Sequence, residues 1–135
     1  MIPCSNDEII DLEKRYNMQL PTCYTEFLKA LGKGAEPFMQ GSFCFYDQLD
    51  FIQLEAKALL KENNFKDLPK NAFVFWLHQG YQFTFFIDNE SDNPSVFYFN
   101  ETEKQIDFIK TYERLTDFFY DEIINSGFDI PSNLK

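Results

Sequence analysis

The stretch between residues 72 and 100 limits the fold more than any other part of the chain. Ala72-Phe73-Val74-Phe75-Trp76-Leu77 is a short continuous apolar run, the pattern of a central strand. Gln79-Gly80 breaks it. Residues 81–87 then alternate, with Tyr81, Phe83, Phe85 and Ile87 on one face and Gln82, Thr84 and Phe86 on the other. Residues 88–94 form a polar turn, and residues 95–100 a further strand with Phe97 and Phe99 opposite Val96 and Tyr98. Short polar turns between adjacent strands predict an antiparallel meander, because a parallel pair needs a long crossover. Residues 106–109 offer one more short strand.

Helical patterns flank this sheet. Ser5 followed by Glu8 forms a capping box, and acids crowd the first turn, where the helix dipole favours them. Ile9, Leu12, Glu13 and Tyr16 share one face, and Asn17 is the expected stop. Leu20-Pro21 opens a second helix, with proline at the position whose N–H has no helical partner. Tyr24, Phe27, Leu28 and Leu31 give it a buried stripe, and Gly32 and Gly34 end it. Residues 42–46 read as a short strand with Phe43 and Phe45 on one face. Asp50 is the expected cap of a third helix over residues 51–63, striped by Phe51, Leu54, Ala58 and Leu59. A closing helix over residues 112–125 carries Leu115, Phe118, Phe119, Glu122 and Ile123 at helical spacing. Helices, then sheet, then helix is an α+β order, with the helices supplying the apolar stripes that cover the sheet. No repeat or linker interrupts the 135 residues, so a single domain, 1–135, is expected.

The order of these motifs resembles the SMI1/KNR4 family of the SUKH superfamily. The opening Ile9-x-x-Leu12-Glu13-Lys14-Arg15-Tyr16-x-x-x-Leu20-Pro21-x-x-Tyr24-x-x-Phe27-Leu28 is similar to the family's first helical pair. Leu31-Gly32-Lys33-Gly34 stands where the family has Asn-Gly. Leu68-Pro69, Phe83-Thr84-Phe85-Phe86-Ile87-Asp88 and Ser95-Val96-Phe97-Tyr98-Phe99 resemble its central strands, and Tyr112-x-x-Leu115-x-x-Phe118-Phe119 its closing helix. The resemblance implies a mostly antiparallel sheet packed with an N-terminal helical pair and a C-terminal helix. It also implies function by protein contact. Bacterial members are largely immunity proteins that neutralise polymorphic or contact-dependent toxins, often nucleases. Fungal members regulate cell-wall synthesis as adaptors. The family carries no catalytic motif, so no catalytic residue is transferred.

The residues themselves offer little chemistry. His78 is the only histidine, and no nucleotide-binding, nucleophile-elbow or zinc-ligand spacing occurs. No cofactor and no metal is expected. Residues 88–93 imitate the start of a calcium loop, but Asn93 stands where glycine is required and Phe99 where a bidentate glutamate is required. An enzyme acting through paired carboxylates is disfavoured because no acid sits in a recognisable catalytic setting. Cys4, Cys23 and Cys44 are an odd number without CxxC spacing, which fits packing thiols in a reducing compartment. The N-terminus has no basic leader with an apolar core, so a cytoplasmic protein is expected.

Charge is the stronger signal. Twelve bases against 22 acids leave a net charge of −10, which argues against nucleic acid and anionic membranes as partners. Residues 71–135 hold 11 of those acids and only 4 bases. Five acids between residues 81 and 103, namely Asp88, Glu90, Asp92, Glu101 and Glu103, have no base among them. They read equally as a solvated surface and as a docking face for a basic protein, such as a toxin domain that itself binds phosphates. Tyr46, Trp76 and Tyr81 are the aromatic candidates for exposed anchors of such a face. The sequence thus predicts a protein partner, with the chain itself a monomer or weak dimer. Immunity protein and regulatory adaptor both stay open.

Overall fold

The computed structural model describes residues 4–31, 42–88 and 91–125. Four helices and five strands follow one another as α1 (Asn6–Tyr16), α2 (Thr22–Leu31), β1 (Ser42–Phe43), α3 (Leu49–Glu62), β2 (Ala72–His78), β3 (Gln82–Ile87), β4 (Val96–Asn100), β5 (Ile109–Tyr112) and α4 (Leu115–Asn125). The sheet order is β1-β2-β3-β4-β5, and every neighbouring pair is antiparallel. This is the α+β meander expected from the sequence.

Local chemistry fixes the entry helices. The Ser5 hydroxyl accepts the Glu8 amide at 3.2 Å, and the Glu8 carboxylate accepts the Ser5 amide at 2.9 Å, closing the capping box. Asn17 ends α1 in the left-handed conformation, φ 50°. The Glu13 carboxylate then accepts the Leu20 amide at 2.8 Å, so one acid on the helix holds the turn into α2. That bond gives the glutamate of the opening motif a structural purpose.

Tyr24 on α2 is the hub of the core. Its ring contacts Phe27, Phe73, Phe75, Phe86 and Phe119, joining α2 and α4 to strands β2 and β3. Phe118 meets Phe75 edge to face from α4. On the other side of the sheet, Phe65 packs on Phe99, and Phe108 packs on Phe85. Phe83, Phe85 and Phe86 are all fully buried. The sheet is therefore covered on both faces, and each such ring contributes about 1.5–3 kcal/mol of apolar burial.

Three boundaries differ from the sequence reading, each for a physical reason. Helix α3 begins at Leu49, so its buried stripe is Leu49, Ile52, Ala56, Leu59 and Leu60, while Phe51 and Leu54 face solvent. Asp50 does not cap it; its carboxylate instead accepts hydrogen bonds from Arg15 and Tyr16 of α1. The last strand lies at 109–112 rather than 106–109, because Tyr98 pairs with Ile109 and Val96 with Tyr112. Tyr112 is therefore a strand residue, and α4 starts at Leu115. The glycines at 32 and 34 and the strand expected over 42–46 fall largely outside the described residues or reduce to the two residues of β1.

Strand β2 carries a bulge. Val74 pairs with Phe85 and Trp76 with Thr84, leaving Phe75 as the extra residue. Gln53 of α3 attends this irregularity: its carbonyl oxygen accepts the Val74 amide at 3.0 Å, and its amide donates to the Val74 carbonyl at 2.5 Å.

Candidate protein-binding face

The four described acids among those singled out in the sequence do not form one patch. In the β3–β4 hairpin Phe86 pairs with Val96 near the turn, and Gln82 pairs with Asn100 at the far end. Asp88 and Asp92 lie at the turn end. The Asp88 amide donates to the Asn71 carbonyl at 2.9 Å, and the Asp92 carboxylate accepts the Thr22 hydroxyl at 2.8 Å at the start of α2. Glu101 and Glu103 lie beyond the other end of β4, a strand length of roughly 15 Å away. Glu90 lies outside the described residues. The calcium-loop likeness includes Glu90, so it too falls partly outside them; among the described residues no three His, Cys, Asp or Glu side chains come together as metal ligands.

The aromatic candidates also separate. Tyr46 is half-buried beside α1 and donates to Asp11 at 3.4 Å. Tyr81 is half-buried at the start of β3, edge-on to His78, and its carbonyl accepts the Glu101 amide at 3.0 Å. Trp76 is not an exposed anchor. It is only 8% exposed, because the bulge turns it under α4, where its ring meets Phe118 edge to face and stacks on His78.

Trp76 nevertheless lines a concave feature of this face. Between the sheet and α4 is an open pocket of about 300 Å³, whose lining includes Trp76, Thr84, Tyr98, Tyr112, Phe118 and Glu122. Trp76, Thr84 and Tyr98 are cross-strand neighbours on β2, β3 and β4, so one rung of the sheet makes the floor. Three carboxylates attend it. The Tyr98 hydroxyl donates to Glu103 at 2.7 Å, and the Tyr112 hydroxyl donates to Asp121 at 2.9 Å. The hydrogen bond to Glu103 and partial burial push the Tyr98 phenol up to about 12. Burial and the hydrogen bond to Asp121 push Tyr112 up to about 12 as well. Both phenols therefore stay protonated at neutral pH and act as fixed donors. Burial, with Asp121 beside it, raises the pKa of Glu122 above the ordinary carboxylate value.

Such a pocket can attract and orient a cation between aromatic walls. Cys23 and Cys44 lie outside its lining, and burial pushes the Cys23 thiol up to about 11 and raises that of Cys44 as well. Glu122, Asp121, Tyr98 and Tyr112 were not among the candidates named from sequence. The signal was present for Glu122, an acid on the otherwise apolar stripe of the closing helix.

The profile of the SMI1 / KNR4 family (SUKH-1) matches residues 3–121. The chain belongs to this family. The match runs from the capping box through α4 as far as Asp121, so the pocket of this SMI1/KNR4 protein is built almost wholly from the family's shared region, with Glu122 just past its end. No curated protein matches the chain. No described helix is long and apolar enough to cross a membrane.

Proposed function

We propose that this SMI1/KNR4 protein is a non-enzymatic immunity protein. It binds a basic toxin domain one to one in the cytoplasm, covers that domain's substrate-binding surface, and performs no chemistry on it. The observation that carries the reading is the acidic, aromatic-floored pocket under α4 in a chain of net charge −10. A phosphate-binding toxin presents Lys and Arg, and complementary charge raises encounter rate and selects the partner. Tyr and Trp walls are the side chains that anchor interface centres.

The test begins with the DNA flanking the gene. A neighbouring frame encoding a large protein with a basic C-terminal domain supplies the partner to co-express. The expected results are growth rescue, a one-to-one complex on size exclusion, and association that slows as salt rises. Changing Asp121 and Glu122 together to Lys is expected to slow association at least about tenfold at low salt, with an unchanged circular dichroism spectrum. A neighbourhood without such a domain, combined with pull-down of a cellular enzyme, would replace immunity with the adaptor role.

A further inference from the structure

An open cavity of about 960 Å³ lies away from the acidic pocket, between the end of α1, α3 and the connector leading to β2. Its volume is that of a small-molecule site. Leu60, Phe65 and Leu68 give it an apolar lining. Five nitrogen-bearing side chains also line it: Gln53, which is engaged by the Val74 and Leu49 backbone, and Lys57, Lys61, Asn64 and Asn71. Among the described residues the side chains of Lys57, Lys61, Asn64 and Asn71 have no hydrogen-bond or ion-pair partner. Of the other described cations, Arg15, Lys29, Lys66, Lys110 and Arg114 meet carboxylates, whereas Lys14, Lys70 and Lys104 have no ion pair.

Lys57, Lys61, Asn64 and Asn71 are all exposed, so the wall they form is open to solvent. Lys57 and Lys61 are four residues apart on one helix, where like charges repel. The helix dipole explains a cation in the last turn, which suits Lys61 but not Lys57. Asn64 and Asn71 hold left-handed backbone, φ 53° and 66°, where glycine would be easier. Asparagine meets the same turn requirement while adding an amide donor to the cavity wall. Asp67 is the one acid in the lining.

We infer that this cavity binds a small amphipathic anion, a carboxylate or phosphate on an apolar body, with the acid group between Lys57 and Lys61 and the body against Leu60, Phe65 and Leu68. The site is separate from the toxin-binding reading and stands or falls without it.

The test is amide NMR of the full chain titrated with 4-phenylbutyrate, phenyl phosphate and 4-phenylbutylamine. Both anions are expected to move signals of residues 57–71, including the Asn64 and Asn71 side-chain amides, with saturation on the order of a millimolar. The tighter of the two names the acid group as carboxylate or phosphate. Lys57→Gln with Lys61→Gln is expected to weaken binding at least about tenfold, while Lys14→Gln with Lys104→Gln, an equal loss of charge elsewhere, leaves it unchanged. The same spectra report that each variant is folded. Equal shifts with the amine, unchanged binding by the Lys57/Lys61 variant, or no saturable shift with either anion would overturn the inference.

Discussion

Gln53 allows a demanding check on how α3 holds the sheet. Val74 turns its N–H and C=O away from the β2–β3 ladder, and β1 reaches β2 only at Leu77 and His78. The Gln53 amide occupies the place of a missing strand, accepting from the Val74 amide at 3.0 Å and donating to its carbonyl at 2.5 Å. Gln53→Ala removes both bonds. Each intramolecular hydrogen bond is worth about 1 kcal/mol net, and a buried backbone group left unpaired costs about 1–3 kcal/mol. Val74 is fully buried, so water does not readily replace the lost partner. The expected loss is about 2–4 kcal/mol, or a fall in Tm of roughly 6–14 °C for a domain of this size.

Urea denaturation followed by far-ultraviolet circular dichroism and by fluorescence of the single tryptophan, Trp76, measures it. Gln53→Glu separates the two bonds. Its carboxylate still accepts from Val74 but faces the carbonyl without a proton to donate. Acidification restores that proton, so the gap between Gln53→Glu and the parent should narrow towards pH 4. A loss below about 0.5 kcal/mol for Gln53→Ala, or a pH-independent gap for Gln53→Glu, would refute the view that this amide stands in for a strand.

Two further expectations concern buried polar groups. The Tyr24 hydroxyl is fully buried and has no hydrogen-bond partner among the described residues, so Tyr24→Phe should leave stability unchanged or raise it by up to about 1 kcal/mol in urea melts; a clear loss would reveal a partner for the hydroxyl. Glu122 has a raised folded-state pKa, so the folded chain binds its proton more tightly than the unfolded chain, and stability falls as pH rises from the ordinary carboxylate value through the raised one. Glu122→Gln should therefore be more stable than the parent at pH 7 and equal to it at about pH 4; equal midpoints at both pH values would refute the burial argument.

What the sequence made legible was what local chemistry decides. The capping box at Ser5 and the Tyr24, Phe27 and Leu28 positions of the α2 stripe need only nearby residues, and each is found in the structure, while β3 is buried on both faces because helices and loops cover both sides of the sheet. Helix α3 defeated the same approach, because Asp50 looks like a cap yet serves Arg15 and Tyr16, side chains from 34–35 residues away. Taking it as the cap put the helix out of phase and named Phe51 and Leu54 in place of Ile52 and Ala56. The candidate face was less legible for a related reason. A cluster of acids in sequence became two groups at opposite hairpin ends once strand pairing was set. The acids that do converge come from the loop after β4 and from α4, and no short motif joins them. Gln53 was also beyond reach, since nothing local announces the bulge it satisfies.

The way those converging acids are held bears on what they can do. Bases pair with Asp11, Asp50, Glu26, Asp107, Glu113 and Asp117, and each such pair cancels its own field. Glu103 and Asp121 are anchored instead by phenols, Tyr98 and Tyr112. A protonated phenol orients a carboxylate without neutralising it, and both phenols stay protonated well past neutral pH. The pocket rim thus keeps its negative charge while losing side-chain freedom, which reduces the entropy cost of engaging a cation. Glu122 adds a third negative charge where burial disfavours it. Fold stability alone would favour glutamine there; under the proposed docking role the acid would trade stability for binding. Glu122→Gln should accordingly have two opposite effects, a more stable chain at pH 7 and a slower association with a basic partner. A variant that gained stability and bound at the parent's rate would leave the acid without a role in docking.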